Sequence, residues 1–391
     1  MQQRIGIVLN NVPSYSETFF LNKINGLIER GARVTIFAEK RGRVFPAHWK
    51  IAAPFKLPAN ILLRNVYVFA GILKVAVGRP GKSYKFYKLE KAAGRSSKAA
   101  LENLYINGHI LRYNLDWLHY GFATVAVRRE NVATAVGAKM AISFRGYDVG
   151  IYPLKYPGCY KLAWKKVDKI HTISDDLLTK AYTLGLPQNI PVVKITPAIN
   201  ADRFVVESNQ PLGDQVNILT IARLNWKKGI QYALHAIKEL KDKGLNIRYT
   251  VVGDGEDMEK LKFAAYQLGI ADNVILRGKV KSEEIPSYFK THSIYLQPSL
   301  QEGFCNAVLE AQAGGLLCIV SDAEGLQENV LHNKTGWVVK RRNVKELVNA
   351  ITHVLKMQDT AKDEIRNAAR TRVLRDFTLE KQLSAFEAFY D

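Results

Sequence analysis

Cysteine is scarce in this 391-residue chain, which holds only Cys159, Cys305 and Cys318. The three stand at no metal-ligand spacing, so no metal site is expected and a reducing cytoplasm is the natural setting. Long apolar runs are missing too. No stretch reaches the roughly 18 uninterrupted apolar residues that a membrane-crossing helix needs. Arg4 followed by Ile5-Gly6-Ile7-Val8-Leu9 imitates the start of a signal peptide, but the run is too short and no cleavage pattern follows. It reads instead as the first strand of a parallel sheet. Internal repeats and low-complexity linkers are absent.

Acidic residues are thin in the first half. Residues 1–200 hold 30 Lys and Arg against 11 Asp and Glu, residues 201–391 hold 26 against 25, and the formal net charge is +20. A field confined to one half suggests a polyanionic partner, either nucleic acid or an anionic membrane. No recognised nucleic-acid motif accompanies it, so the expectation is an anionic membrane surface and no nucleic acid. What the chain does have is core: 47% of its residues are hydrophobic, enough for the two domains its length suggests.

Chemistry concentrates between Pro298 and Gly314. Ile294-Tyr295-Leu296 reads as a buried strand ending at a loop, and a helix begins near Asn306 with Val308, Leu309 and Ala313 on one apolar face. Glu302 then lies in the loop and Glu310 in the helix. Both can face the crevice outside the carboxyl ends of the strands, where open α/β sheets bind ligands. Two solvated surface charges are the plainer alternative. Gly303, Phe304 and Asn306 between them favour a site, because a solvated loop gains little from an aromatic side chain. The first amides of the helix are placed for an anion.

The run Glu302-Gly303-Phe304-Cys305-Asn306-Ala307-Val308-Leu309-Glu310-Ala311 resembles the signature of the group 1 retaining glycosyltransferases. The resemblance covers nearly the whole chain. It implies the α/β GT-B fold, two Rossmann-like doubly wound domains facing across a cleft. Residues 1–205 would form an acceptor-binding domain, 206–375 a nucleotide-sugar-binding domain, and a helix from about 376 to 391 would pack back onto the first.

In chain order, the loop after the first strand contains Asn11 and Ser16-Glu17-Thr18-Phe19, similar to a Ser-Glu-Thr-Phe branch of the family common among bacterial surface-polysaccharide enzymes. Asn11, Ser16 and Glu17 would face the acceptor; Ser16 and Glu17 can equally be a helix cap alone. Phe19, Phe20, Ile24, Leu27 and Ile28 form the apolar stripe of the following helix, ended by Gly31. Leu57 to Val77 is apolar, and Lys82, Lys85, Lys88, Lys91, Arg95 and Lys98 follow among Tyr84, Phe86 and Tyr87. Aromatics among cations suit a membrane surface, where each basic residue contributes roughly 1 kcal/mol; core-facing helices with a solvated basic face are the alternative.

His119 comes at a strand end and is either structural or catalytic. Arg145-Gly146-Tyr147-Asp148 resembles a family motif with His where Arg145 stands. A guanidinium only donates hydrogen bonds, so Arg145 is excluded as a base but can hold a phosphate or a carboxylate. Asp148 is a structural cap or an acceptor contact. In the second half, Arg223 and Lys228 follow the strand Val216–Ile221 and match the family's Arg and Lys-Gly pattern, which implies that they neutralise a diphosphate leaving group. Gly253 makes a tight turn able to approach a nucleotide, and Lys279 and Val280 sit in the family's base-binding loop.

The activity implied is transfer of a sugar from a UDP- or GDP-sugar, with retention, to a saccharide or lipid-linked saccharide acceptor. No cofactor or metal takes part, and the enzyme would work at the inner face of a bacterial membrane. Glu302 would bind donor-sugar hydroxyls and Glu310 the ribose diol. Arg223, Lys228 and the amides from Phe304 to Ala307 would stabilise the departing diphosphate, where negative charge develops. His119 and Arg145 complete the candidate catalytic set. Gly303, Phe304, Cys305, Asn306, Ala307, Glu310, Gly253, Lys279 and Val280 form the donor side, and Asn11, Ser16, Glu17 and Asp148 the acceptor side. Alternatives from other classes are a GT-B epimerase or phosphorylase and a non-enzymatic polyanion binder.

Overall fold

Short apolar runs bounded by loops become strands buried on both faces, the pattern of a parallel sheet covered by helices. In the computed structural model, residues 2–13, 18–39, 45–55, 60–204 and 213–391 are described, so Ser16 and Glu17 lie outside the described residues. Contacts divide the chain into two units, Met1–Ile195 with Leu383–Asp391, and Thr196–Gln382. The chain thus passes between units at Ile195 and again inside its last helix.

Among the described residues of the first unit, strands β1 (Arg4–Asn11), β2 (Arg33–Glu39), β3 (Lys50–Ala52), β4 (Trp117–Tyr120), β5 (Lys139–Phe144), β6 (Lys169–Thr172) and β7 (Val192–Lys194) pair in the order β3-β2-β1-β4-β5-β6-β7. Every pairing is parallel. Strand order reverses between β1 and β4, so the loops after them flank the switch point of a doubly wound sheet. Ile5, Ile7, Ile24, Leu27 and Ile36 fill the core with Phe386, Phe389 and Tyr390 from the end of the chain. Trp117 Nε1 donates to the Tyr390 carbonyl at 2.7 Å, and Arg30 pairs with Glu387 at 2.8 Å, fixing that terminal turn to the sheet.

Between β3 and β4 the chain builds helices Ile61–Gly78, Pro80–Ala92 and Ser97–Leu111. The buried Glu90 carboxylate holds the last two together: it accepts from Arg95 Nη1 at 2.6 Å, Asn103 Nδ2 at 2.6 Å and Asn131 Nδ2 at 2.7 Å. A buried carboxylate with that many donors is fully compensated and sets the helices' rotation.

In the second unit, β8 (Val216–Ile221), β9 (Ile247–Val252), β10 (Val274–Gly278), β11 (Ile294–Gln297), β12 (Leu317–Ser321) and β13 (Trp337–Val339) pair in the order β10-β9-β8-β11-β12-β13, again all parallel. The switch point lies between β8 and β11. The segment from Ala361 to Tyr390 is helical in pattern, and two helices, Asp359–Asp376 and Leu379–Tyr390, form it. At the break Ile199 donates its amide to the Phe377 carbonyl at 3.1 Å and bridges to Thr378. No helix among the described residues is long and apolar enough to cross a membrane.

Candidate active site

The two loops flanking the switch point of the second unit are held together backbone to backbone. Gly229, at φ +63°, lies so near the Pro298 carbonyl that a Cβ would stand 2.1 Å from its oxygen. Only glycine fits, because it has neither the left-handed penalty nor the side chain. Lys227 O accepts from the Leu300 amide at 2.6 Å. This contact brings Lys228 Nζ into an ion pair with Glu302 Oε2, the two side chains 15% and 14% exposed. Burial works against the Lys228 charge, yet the Glu302 carboxylate outweighs it and holds the lysine pKa above its ordinary value.

A polar ladder runs down from Glu302 into the sheet. Ser299 Oγ donates to Glu302 Oε2 at 3.3 Å, Gln297 Nε2 to Ser299 Oγ at 2.8 Å, and Tyr295 OH to Gln297 Oε1 at 2.9 Å. From the β12 side, Glu324 accepts the Glu302 amide at 2.8 Å, and the Gly325 amide donates to the Glu302 carbonyl at 2.9 Å. Glu302 is thereby fixed at backbone and side chain. Arg223, on the loop after β8, is exposed and makes no side-chain hydrogen bond or ion pair among the described residues.

The helix Asn306–Ala313 starts where the sequence places it, but its approach differs in two respects. Phe304 is buried against Phe377, ring centroids 5.7 Å apart, and offers no aromatic face to a ligand. The Cys305 amide is already taken by Asn329 Oδ1 at 3.0 Å, while Asn329 Nδ2 returns a bond to the Cys305 carbonyl at 3.0 Å. Cys305 is therefore removed from the set of anion-facing amides, and burial pushes its thiol up to about 12. The amides of Phe304, Asn306 and Ala307 have no acceptor among the described residues. Glu310, one helical turn in, is half-buried; burial pushes its carboxyl up to about 7, against the opposing pull of Arg203.

Gly253 makes its close approach to protein. A Cβ there would stand 1.8 Å from the Ala222 oxygen, so this glycine seats the turn after β9 on the loop that carries Arg223. Lys279 is exposed and Val280 half-buried just beyond β10. Glu324 and Asn329 were not legible as site residues; the one signal was that Glu324-Gly325 repeats the Glu-Gly of Glu302-Gly303 at the next strand end.

In the first unit, His119 is shut inside the core, which corrects the expectation of a catalytic histidine. His171 Nε2 donates to the Ile195 carbonyl at 3.0 Å, so its Nδ1 accepts from Ser143 Oγ at 2.7 Å. Ser143 must then accept from His119 Nε2 at 2.7 Å, leaving His119 Nδ1 to accept from Tyr390 OH at 2.6 Å. Burial, with Lys23 nearby, keeps His119 neutral by holding its pKa well below the usual value. Asp148 is a buried cap: it accepts from the amides of Ala123 at 3.1 Å, Arg145 at 3.0 Å and Gly146 at 2.9 Å. Those bonds take up its oxygens, so it is not an acceptor contact. Asn11 lines a cavity of about 130 Å³ with Leu9, Asn10, Phe20 and Phe122 at the switch point.

The helices before β4 leave an apolar face uncovered. On Ile61–Gly78, Gly71 and Val75 turn inward, while Val66, Tyr67, Phe69, Leu73 and Val77 turn outward, Phe69 and Val77 being 70% and 73% exposed. Lys74, Arg79, Lys85, Lys88 and Lys91 are exposed beside them.

Residues 203–371 match the family model described as glycosyl transferases group 1. The second unit is thus similar to this family. It is 27% identical to the amylovoran biosynthesis glycosyltransferase AmsK of Erwinia amylovora over 93% of each chain. It is also 27% identical to an Escherichia coli UDP-Gal:alpha-D-GlcNAc-diphosphoundecaprenol alpha-1,3-galactosyltransferase, over 52% of this chain and 53% of that one. Among solved structures, Anabaena Alr3699/HepE in complex with UDP superposes with a TM-score of 0.72 over 99% of both chains at 13% identity. That likeness and the two parallel sheets give the fold as GT-B.

Proposed function

We propose that this chain is a glycosyltransferase that moves a sugar, with retention and without a metal, from a UDP- or GDP-sugar to a lipid-linked saccharide in building a bacterial surface polysaccharide. The carrying observation is the half-buried Lys228–Glu302 pair at the switch point of the second unit, with the exposed Arg223 on the same loop as Lys228. Lys228 and Arg223 supply positive charge where a diphosphate leaves, which lowers the barrier to its departure. The pair holds the Glu302 carboxylate in place to accept hydrogen bonds from donor-sugar hydroxyls, and Gly303 leaves room for the sugar. The free amides of Phe304, Asn306 and Ala307 cradle a phosphate, and ionised Glu310 accepts from the ribose diol. Lys279 and Val280 border the base. The polysaccharide role and the lipid-linked acceptor are supported by what the relatives' names say of them.

The first unit takes the acceptor at the membrane's inner face. Its outward apolar residues enter the headgroup boundary, and the adjoining lysines meet anionic lipid. Incubating the chain with UDP- and GDP-sugars and a bacterial lipid extract, and following nucleotide release and anomeric configuration by NMR, tests the reading. An α-linked product from an α-linked donor is expected. An inverted product, or hydrolysis with no product from any donor, overturns it.

A further inference from the structure

The first unit holds a guanidinium whose donors lack an acceptor. Arg145 ends β5, and its guanidinium lies flat on Phe19, Cζ 3.3 Å from the ring centroid, and 4.8 Å from Phe20. Its Nε and Nη2 are closed off from solvent and have no hydrogen-bond acceptor. Asp148, the nearby carboxylate, spends its oxygens on backbone amides, two of them those of Arg145 and Gly146. Near Arg145 lies the buried Lys23, with Nζ 4.2 Å from the Phe386 ring and 3.3 Å from His119 Nδ1, and burial holds its pKa well below the ordinary value. The imidazoles of His119 and His171 complete the wall, and both are neutral in the hydrogen-bond chain described above. Asn11 Oδ1, on the cavity that shares Phe20 with Arg145, lacks a partner as well.

Ring stacking and the nearby Asp148 carboxylate recover part of the cost of closing off a guanidinium, but donors shut from solvent without an acceptor remain expensive. A planar fork with free donors at strand ends is built for an oxyanion, which accepts two of its N–H groups at once. The position matches: β1, β4 and β5 all end here, at the switch point of the sheet. We infer that Arg145 binds an oxyanion, a carboxylate or a phosphate, carried by the saccharide substrate, and that it makes the enzyme selective for anionic over neutral saccharides. The inference rests on the reading of the chain as a sugar transferase, and it adds the substrate's charge.

The test uses the full chain with Arg223→Ala, so that anion binding at the diphosphate loops is weakened, and titrates glucuronate, glucose 1-phosphate and glucose by calorimetry. Binding of glucuronate assigns a sugar carboxylate, and binding of glucose 1-phosphate alone assigns a phosphate; glucose should not bind. Adding Arg145→Gln should weaken the bound anion by about tenfold or more, as loss of a charged bidentate contact does, and should raise the melting temperature of the free protein. Arg145→His, which restores the family's residue, serves if the glutamine variant does not fold. Equal anion affinity with and without Arg145, or no binding of either anion, overturns the inference, and so does a melting temperature that falls in both variants, because that would reveal an internal partner. A UDP titration of the parent chain separates the two readings: UDP binding without anion binding sinks only this inference.

Discussion

The two sheets share a strand order and diverge at their switch points. In the second unit the charges are paired and reachable: Lys228 meets Glu302, Arg223 is exposed, and free amides lie alongside. At the first unit's switch point Arg145 is half-buried with donors that lack an acceptor, Lys23 is buried, the Asp148 carboxylate is spent on backbone amides, and His119 is sealed by Tyr390. A doubly wound sheet fixes where a ligand goes, and the loops decide its charge. On the proposed reading the second unit lets a diphosphate leave and the first holds a substrate still.

The largest effect that sharpens this contrast is expected from Glu302→Gln. It removes the partner of Lys228 and the acceptor for the donor sugar, and transfer should fall by about 10²–10³-fold or more in kcat/KM with the circular-dichroism spectrum unchanged. Unchanged turnover would move the chemistry elsewhere. Glu310→Gln comes next. Its carboxyl is held at about 7 in the folded protein, so the protonated form is favoured over the unfolded chain, where 4.5 is usual. The stability this confers is present below about 4.5 and is lost as pH rises through about 7. The glutamine variant should therefore be more stable than the parent at pH 8, by on the order of 2–3 kcal/mol, and equal to it at pH 4 in urea unfolding. If the ribose diol needs the ionised form, parent nucleotide affinity should also fall below pH 7, and the variant's should not.

Asp148→Ala strips the acceptor from several buried amides and should cost about 1–3 kcal/mol of stability of the first unit. If acceptor binding weakened instead with stability intact, Asp148 would be a ligand contact after all. The smallest effects belong to the uncovered helical face. Lys85→Glu and Lys88→Glu should each weaken sedimentation with phosphatidylglycerol vesicles by about fivefold, from roughly 1 kcal/mol per basic residue, and leave phosphatidylcholine vesicles unaffected. Vesicle binding that ignores both substitutions would separate the basic first half from membranes.

Much of this was legible because it is local. Strand runs, the helix starting at Asn306, Gly229, and the Arg223, Lys228 and Glu302 constellation all depend on neighbours in sequence or on a strand-end loop. What was not legible depends on distant partners. Whether His119 points out or in is decided by Tyr390, 271 positions away. Phe304 looks like a ligand-facing aromatic until Phe377 covers it, and the Cys305 amide looks free until Asn329 takes it. The sequence from Ile61 to Val77 is apolar at most positions, so periodicity could not say which face of the helix would be left uncovered.

The central claim is that a nucleoside diphosphate binds at the loops after β8 and β11. Calorimetric titration of UDP and GDP into the parent chain and into Arg223→Ala tests it most directly. One nucleotide should bind the parent and bind the variant about tenfold more weakly, as expected for loss of a charge-assisted contact. Equal affinity in both, or no binding of either nucleotide to the parent, would contradict the account.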